Sequence, residues 1–278
     1  MSSPVPPLQR LRDGVRRVGV PLCLGIDPRV DELPAGLPPD PSGVERFAHG
    51  LLEAVAAEVV AVKFNTAYFE AMGSAGWAVL ERVRADVPPE LVVIIDAKRG
   101  DIGRSAARYA DALLGRLSGD AVTLQPYLGA DAVEPFLAVP DRLVYLVART
   151  SNPSAGTFQD LAVGDGRLDE AVAEWAATRW TDGRVGLVVG ATVPADLARL
   201  RARVPGPGFL VPGVGAQGAD LGPALAACHG TWAPGLVTIS RGIAAASRGT
   251  DWAEQAARAA RSWADRMRGP GATLGASS

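Results

Sequence analysis

Short apolar runs alternate with longer amphipathic stretches along most of the chain. Eight of the runs read as strands: 20–26 (VPLCLGI), 59–64 (VVAVKF), 91–96 (LVVIID), 121–125 (AVTLQ), 143–148 (LVYLVA), 185–190 (VGLVVG), 208–212 (GFLVP) and 235–240 (GLVTIS). None of them alternates polar with apolar positions. Continuous apolar runs of this length fit strands buried on both faces, as in a parallel sheet covered by helices. The intervening segments carry the helical period instead. In 43–58 apolar residues fall at 44, 47, 51, 52 and 55, and similar spacing marks 67–85 and 101–117. Shorter helices are expected over 131–138, 168–180, 194–203 and 218–228. A last helix, 251–268, begins at Asp251 as a capping residue and stops before Gly269 and Pro270.

Eight strand–helix units predict one (β/α)8 barrel, an α/β fold, spanning residues 1–278, with an open doubly wound sheet as the runner-up. Polar residues decide for the barrel, because they follow nearly every strand: Asp27, Lys63 with Asn65, Asp96 with Lys98, Gln125, Ser151 with Asn152, Gln217 and Arg241. In a barrel all these strand ends converge on one face, where the βα loops build a site. An open sheet would spread them along its edge. The ends, 1–7 and 269–278, are rich in Pro, Gly and Ser and are expected to be mobile. The loop 28–43 carries five prolines and reads as a long, stiff βα connection.

Composition narrows the classes. The chain is 48% hydrophobic, enough for a large core, and its net charge of −2 gives no basic field for nucleic acid. No apolar run approaches the ~18 residues of a membrane span. The N-terminal segment lacks the apolar stretch and cleavage site of a secretory signal, so a cytoplasmic location is expected. Cys23 and Cys228 form no ligand pattern and read as small buried hydrophobes. His49 and His229 stand far from each other and from any Cys, which disfavours zinc hydrolysis and Ser-His-Asp chemistry.

The candidate chemistry lies in the lysines. Among 28 basic residues only Lys63 and Lys98 are Lys, and each ends an apolar run. An Arg-rich chain has no need of Lys for solubility. Arg does not give up its proton near neutral pH, whereas the Lys ammonium is a compact, tunable acid. Asp96, Lys98 and Asp101 form a D-x-K-x-x-D pattern at the third strand end, next to Asp27 and Lys63 in a barrel. Flanking acids favour the ammonium of Lys98, which can then deliver a proton to a developing carbanion. Asp96 would oppose a carboxylate brought in by substrate, a repulsion relieved by loss of CO2. A purely structural ion-pair network at the strand ends is the competing reading.

A second constellation follows the last two strands. Residues 212–218 (PGVGAQG) and 240–242 (SRG) are where barrels often bind phosphate. Glycines let backbone N–H groups approach an anion, Arg241 can bind it bidentately, and Gln217 adds a neutral donor.

The segments LCLGIDPR, VKFNTAYFEAMG, IIDAKRGDIG, SNPSAG, VPGVGAQG and ISRGI occur in that order over residues 22–243. Together they resemble the orotidine 5′-phosphate decarboxylase family, in particular its longer bacterial branch. The D-x-K-x-x-D core alone is shared more widely, while DAKRGDIG with VKFN and PGVGAQG is specific. The resemblance implies decarboxylation of orotidine 5′-phosphate to UMP, the last step of pyrimidine synthesis, with no metal and no cofactor. By motif, Lys98 would protonate C6 of the pyrimidine and Asp96 would face the leaving carboxylate. Asp27 and Lys63 would bind ribose hydroxyls, and Asn65 would stand beside them. Asp101 would reach into the active site of a second subunit, which implies a homodimer, with Ile102 and Ser105 travelling with it to pack near base and ribose. Ser151 would contact the pyrimidine. Gln217 and Arg241 would hold the phosphate, with Pro212 and Gly242 beside them at the substrate. The 28–43 and 154–168 segments depart from the compact branch of the family. A magnesium-dependent sugar-phosphate decarboxylase or aldolase would share the core but needs an added acid, and strand two here ends Lys63-Phe64-Asn65. A Schiff-base aldolase using Lys63 or Lys98, or a non-catalytic nucleotide-phosphate binding barrel, would fit parts of the same pattern.

Overall fold

A computed structural model describes residues 5–215 and 219–269. Its strands are β1 (Leu22–Ile26), β2 (Ala61–Asn65), β3 (Val92–Arg99), β4 (Ala121–Leu124), β5 (Leu143–Arg149), the short β6 (Ala162–Val163) and β7 (Gly166–Arg167), then β8 (Val185–Val189), β9 (Phe209–Pro212) and β10 (Leu236–Ile239). The helices are α1 (Pro7–Val18), α2 (Pro41–Val55), α3 (Thr66–Glu70), α4 (Gly73–Ala85), α5 (Gly103–Ala110), α6 (Glu134–Leu137), α7 (Gly156–Gln159), α8 (Leu168–Arg179), α9 (Pro194–Arg203), α10 (Leu221–Cys228), α11 (Arg241–Ala244) and α12 (Trp252–Arg268). Eight parallel strands close in the order β1-β10-β9-β8-β5-β4-β3-β2, so the barrel expectation holds. Each of the eight apolar runs supplies one of its staves.

The apolar runs are continuous because the strands are covered on both faces. Every residue of β1 and β8 is buried, one face against the barrel interior and the other against helices. Phe64, Phe209, Leu22 and Ile94 are among the fully buried side chains of this core.

Several boundaries differ from those the sequence pattern predicts. The expected mobile end 1–7 overlaps α1, whose first residue, Pro7, is buried. Its φ suits a first helical turn, and Gly19 closes the helix in the left-handed conformation with its N–H on Val15 O. This helix lies against the strand starts: Arg10 donates to Leu91 O (3.0 Å) and Arg12 to Trp232 O (2.7 Å). The expected helix 67–85 is broken at residues 71–72 into α3 and α4. The 101–117 helix ends in a π-helical turn over 111–116. Part of the segment 154–168 folds as the β6–β7 antiparallel hairpin. Asp251 stands at the start of α12 but caps no backbone N–H; its carboxylate accepts from Ser247 Oγ (2.6 Å) and Gln255 Nε2 (2.9 Å) instead.

Both cysteines are buried and unpaired, and burial pushes each thiol up to about 12. His229 ends α10 with Nδ1 accepting from Gly235 N–H (3.3 Å), and burial lowers its pKa. His49 stands 3.0 Å from Asp86. No described helix is long and apolar enough to cross a membrane.

Candidate active site

The C-terminal strand ends surround a cavity of ≈ 530 Å3. At its floor an alternating chain of charges runs across three neighbouring strands. Lys63 Nζ, on β2, lies 2.9 Å from Asp96 Oδ2 and 3.4 Å from Asp27 Oδ1. Lys98 Nζ lies 2.6 Å from the other Asp96 oxygen. Asp96 and Lys98 lie two residues apart near the end of β3, and both line this cavity.

A local irregularity completes that placement. The β3–β4 register shifts between Ile95 and Arg99, and Lys98 adopts a left-handed backbone with φ 45°. Such a conformation is costly for a side-chain-bearing residue and persists only where its surroundings hold it. Thr123 does so: its hydroxyl accepts from Lys98 N–H (3.0 Å) and donates to Asp96 Oδ1 (2.8 Å). Thr123 thus fixes the strained lysine backbone and one carboxylate oxygen together. Sequence reasoning missed this residue, although a Thr inside the apolar run AVTL is a usable signal.

Electrostatics separates the two lysines. Lys63 is 4% exposed. Burial by itself would lower its pKa, but Asp27 and Asp96 reverse that and raise it above the ordinary lysine value. Burial would likewise raise the Asp96 pKa, but Lys63 and Lys98 outweigh it and hold this carboxyl well below the usual carboxylate range. The Lys98 side chain is 42% exposed and faces the opening. Lys63 is the buried ammonium that anchors the chain of charges; Lys98 is its accessible end.

Asp27, Asn65, Ser151, Pro212 and Arg241 all line the same cavity, as their positions after the strands implied. Asn65 also serves the backbone, accepting from Ala67 N–H (3.2 Å) at the start of α3. Gly242 follows Arg241 in α11, and its carbonyl accepts from Trp263 Nε1 (3.3 Å). Trp263 also lies close to Gly215, where an added Cβ would sit 2.8 Å from the indole and where φ is +80°. Only glycine lets the turn after β9 lie on that ring. Gln217 lies outside the described residues. Gln125 does not join the site; it lines a separate apolar cavity between β4 and α8. Asp101, Ile102 and Ser105 are likewise absent from the lining of this cavity. Arg29, Tyr68 and Arg149 line it without any sequence signal that singled them out. Arg29 pairs with Asp31 (2.6 Å) and Glu32 (2.6 Å) in the Pro-rich loop, and Ala35 N–H bonds Arg248 O (2.8 Å), tying that loop to the one after α11.

The family model described as "Orotidine 5'-phosphate decarboxylase / HUMPS family" matches residues 21–258. The chain belongs to the orotidine 5′-phosphate decarboxylase family. A decarboxylase of that name from Thermomicrobium roseum is 45% identical over 261 residues, covering 91% of this chain and 92% of the relative. Another, from Roseiflexus castenholzii, is 47% identical over 249 residues, or 88% and 90% of the two chains. Among solved structures, the Leishmania donovani OMP decarboxylase superposes with a TM-score of 0.82 at 37% identity, covering 95% of this chain and 98% of that one. The region matched by the decarboxylase family includes every strand of the barrel and all four members of the Asp27–Lys63–Asp96–Lys98 chain.

Proposed function

We propose that this chain decarboxylates orotidine 5′-phosphate to UMP and CO2, with Lys98 as the proton donor. The observation that carries the assignment of roles is Asp96 held between two ammonium groups, with one of them, Lys98, facing the opening. The bond from C6 of the pyrimidine to its carboxylate breaks, and the electron pair stays on C6. That carbanion lies in the ring plane and is poorly delocalised, so the enzyme must supply a barrier reduction on the order of 20 kcal/mol. An ammonium already in place at C6 stabilises the developing charge and then delivers its proton. Asp96 faces the substrate carboxylate, and departure of CO2 relieves their repulsion. Thr123 and Lys63 keep Asp96 from turning away.

The same donor set favours a metal-free reaction. Asp27 and Asp96 are each engaged by Lys63, and strand two supplies Asn65 where a metal-dependent relative needs an acid. No group of three His, Cys, Asp or Glu side chains suited to a metal occurs among the described residues.

Arg241 holds the phosphate, a part of the substrate remote from the bond that breaks. Binding energy from such a part can go into ordering the reacting end, so Arg241→Ala is expected to lower kcat as well as raise KM. Steady-state kinetics at saturating substrate check this, and a change confined to KM would contradict it.

Asp101 completes the site of a second copy. It stands outside the cavity of its own chain, its carboxylate accepting from Ile102 N–H (2.8 Å). Exposed apolar side chains accompany it: its neighbour Ile102 is 54% exposed, and Tyr127, two residues past Gln125, is 88% exposed. The adjoining backbones are joined by Gln125 N–H on Arg99 O (2.7 Å). A second copy covering this face would bring Asp101, Ile102 and Ser105 to its partner's substrate. Refolding Lys98→Ala together with Asp101→Ala tests the arrangement. Each mixed dimer would regain one intact site, so an equal mixture recovers about a quarter of wild-type activity. Mixtures no more active than either variant alone would exclude shared sites.

A further inference from the structure

The pyrimidine end of the cavity is built on a loop whose geometry is set by a residue outside the lining. Ser151 follows β5, and its neighbour Thr150 is held on two sides by Gln159 of α7. Thr150 N–H donates to Gln159 Oε1 (2.9 Å), and Gln159 Nε2 donates to Thr150 Oγ1 (2.8 Å). The backbone donor fixes the orientation of the amide, because only its oxygen can accept from Thr150 N–H. The NH2 group must then face the Thr150 hydroxyl, whose own proton is left to point at Asn152 Oδ1 (2.6 Å). One amide therefore orders the backbone and side chain before Ser151 and the side chain after it.

Gln159 is itself held firmly. Its N–H bonds Ala155 O (3.0 Å), and Ala155 N–H bonds Asn152 O (3.0 Å), so the loop returns on itself. The next residue, Asp160, pairs with Arg149 (2.7 Å) at the end of β5. Arg149, nearly buried, also pairs with Asp196 of α9 (2.8 Å), and its carbonyl accepts from Gly190 N–H after β8 (2.9 Å). The clamp on Thr150 is thereby tied to two strand ends, not left on a free loop.

We infer that Gln159 is a positioning residue that sets Ser151 against the pyrimidine and so tunes recognition of the base apart from the ribose phosphate. This rests on the reading of Ser151 as the pyrimidine contact. The phosphate end, at Arg241, belongs to β10 and α11 and takes no part in the clamp.

That separation gives the test. Binding of UMP and of ribose 5-phosphate is measured calorimetrically on wild type, Gln159→Ala and Gln159→Glu, with thermal melts of each. Loss of one or two neutral hydrogen bonds around the base contact should weaken UMP about tenfold in Gln159→Ala, with ribose 5-phosphate changed less than about twofold. Gln159→Glu keeps an acceptor for Thr150 N–H but cannot donate to its hydroxyl, so an intermediate loss is expected for UMP alone. If Gln159→Ala does not fold, Gln159→Glu is judged by the same contrast. A parallel weakening of both ligands would reduce Gln159 to general support of the fold, and unchanged UMP binding would remove it from recognition; either overturns the inference. Wild type binding UMP no better than ribose 5-phosphate would instead sink the reading of Ser151 on which the inference stands.

Discussion

Lys98→Ala is expected to lose turnover by on the order of 10^4-fold while still binding UMP. The residue contributes little to the packed core: its side chain is 42% exposed, and its ammonium pairs with Asp96. Folding should therefore survive its removal. The chemical step should not, because no other described ammonium faces the opening beside Asp96; Lys63 is buried beneath it. Lys98→Arg is the sharper variant. It restores positive charge but not an acid able to release a proton at neutral pH, so it should remain nearly as inactive as Lys98→Ala. Single-turnover measurements at saturating substrate, with UMP affinity measured in parallel, separate chemistry from binding. A Lys98→Arg enzyme within about tenfold of wild type would show that charge, not proton delivery, is what position 98 supplies.

Asp96→Ala should damage stability as well as activity. It strips Lys63 of its nearer carboxylate and leaves a buried ammonium with Asp27 at 3.4 Å. Removing one partner of a buried ion pair costs up to about 3–5 kcal/mol where the remaining charge is left alone, and Asp27 offsets part of that here. Replacing both partners, as in Asp96→Ala with Lys63→Met, should recover a good part of that loss, yet the double variant should stay inactive. The pH dependence has a definite sign. The Asp96 carboxyl is held below its ordinary value of 3.8, so its contribution is full above that value and fades as pH falls through the folded-state pKa. Lys63 is raised above 10.5, so its contribution is full below that value and fades only as pH rises through its own folded-state pKa. Between these limits the network is intact. The Tm gap between wild type and Asp96→Ala should then be constant from about pH 5 to 8 and shrink below about pH 4. A gap that widens in acid would contradict the assigned charge states.

Much of the architecture is readable in the sequence because burial on both faces leaves an unbroken apolar signature. All eight barrel strands fall within or beside the apolar runs, and the polar residues that follow them mark the face of the site. Where the sequence pattern misleads, the deciding interaction is usually distant along the chain. Helix α1 is held by Arg10 and Arg12 on carbonyls 81 and 220 residues away, which no local pattern displays. Gln125 ends an apolar run just as the residues lining the candidate site do, yet it lines a separate cavity beside Pro126, Tyr127 and α8. Asp251 has the right type and place for a cap, and two nearby side chains take its oxygens first.

The chemistry is legible for a different reason. In a chain that uses Arg almost everywhere, the two lysines of the sequence both line the cavity and both pair with Asp96. Their distinct environments are not legible, because burial at a strand end depends on which neighbours close over it. Lys63 is closed in between Asp27 and Asp96, while Lys98 is turned outward by a left-handed backbone that Thr123 holds. Thr123 comes from the next strand, 25 residues away.

The decisive measurement is ultraviolet-monitored consumption of orotidine 5′-phosphate by the purified chain with EDTA present, beside Lys98→Ala under the same conditions. Rapid conversion to UMP by the wild-type chain is expected, undiminished by the chelator and abolished in the variant. Folded wild-type protein that leaves the substrate untouched, or that needs added magnesium to act, would contradict a metal-free decarboxylase with Lys98 as its acid.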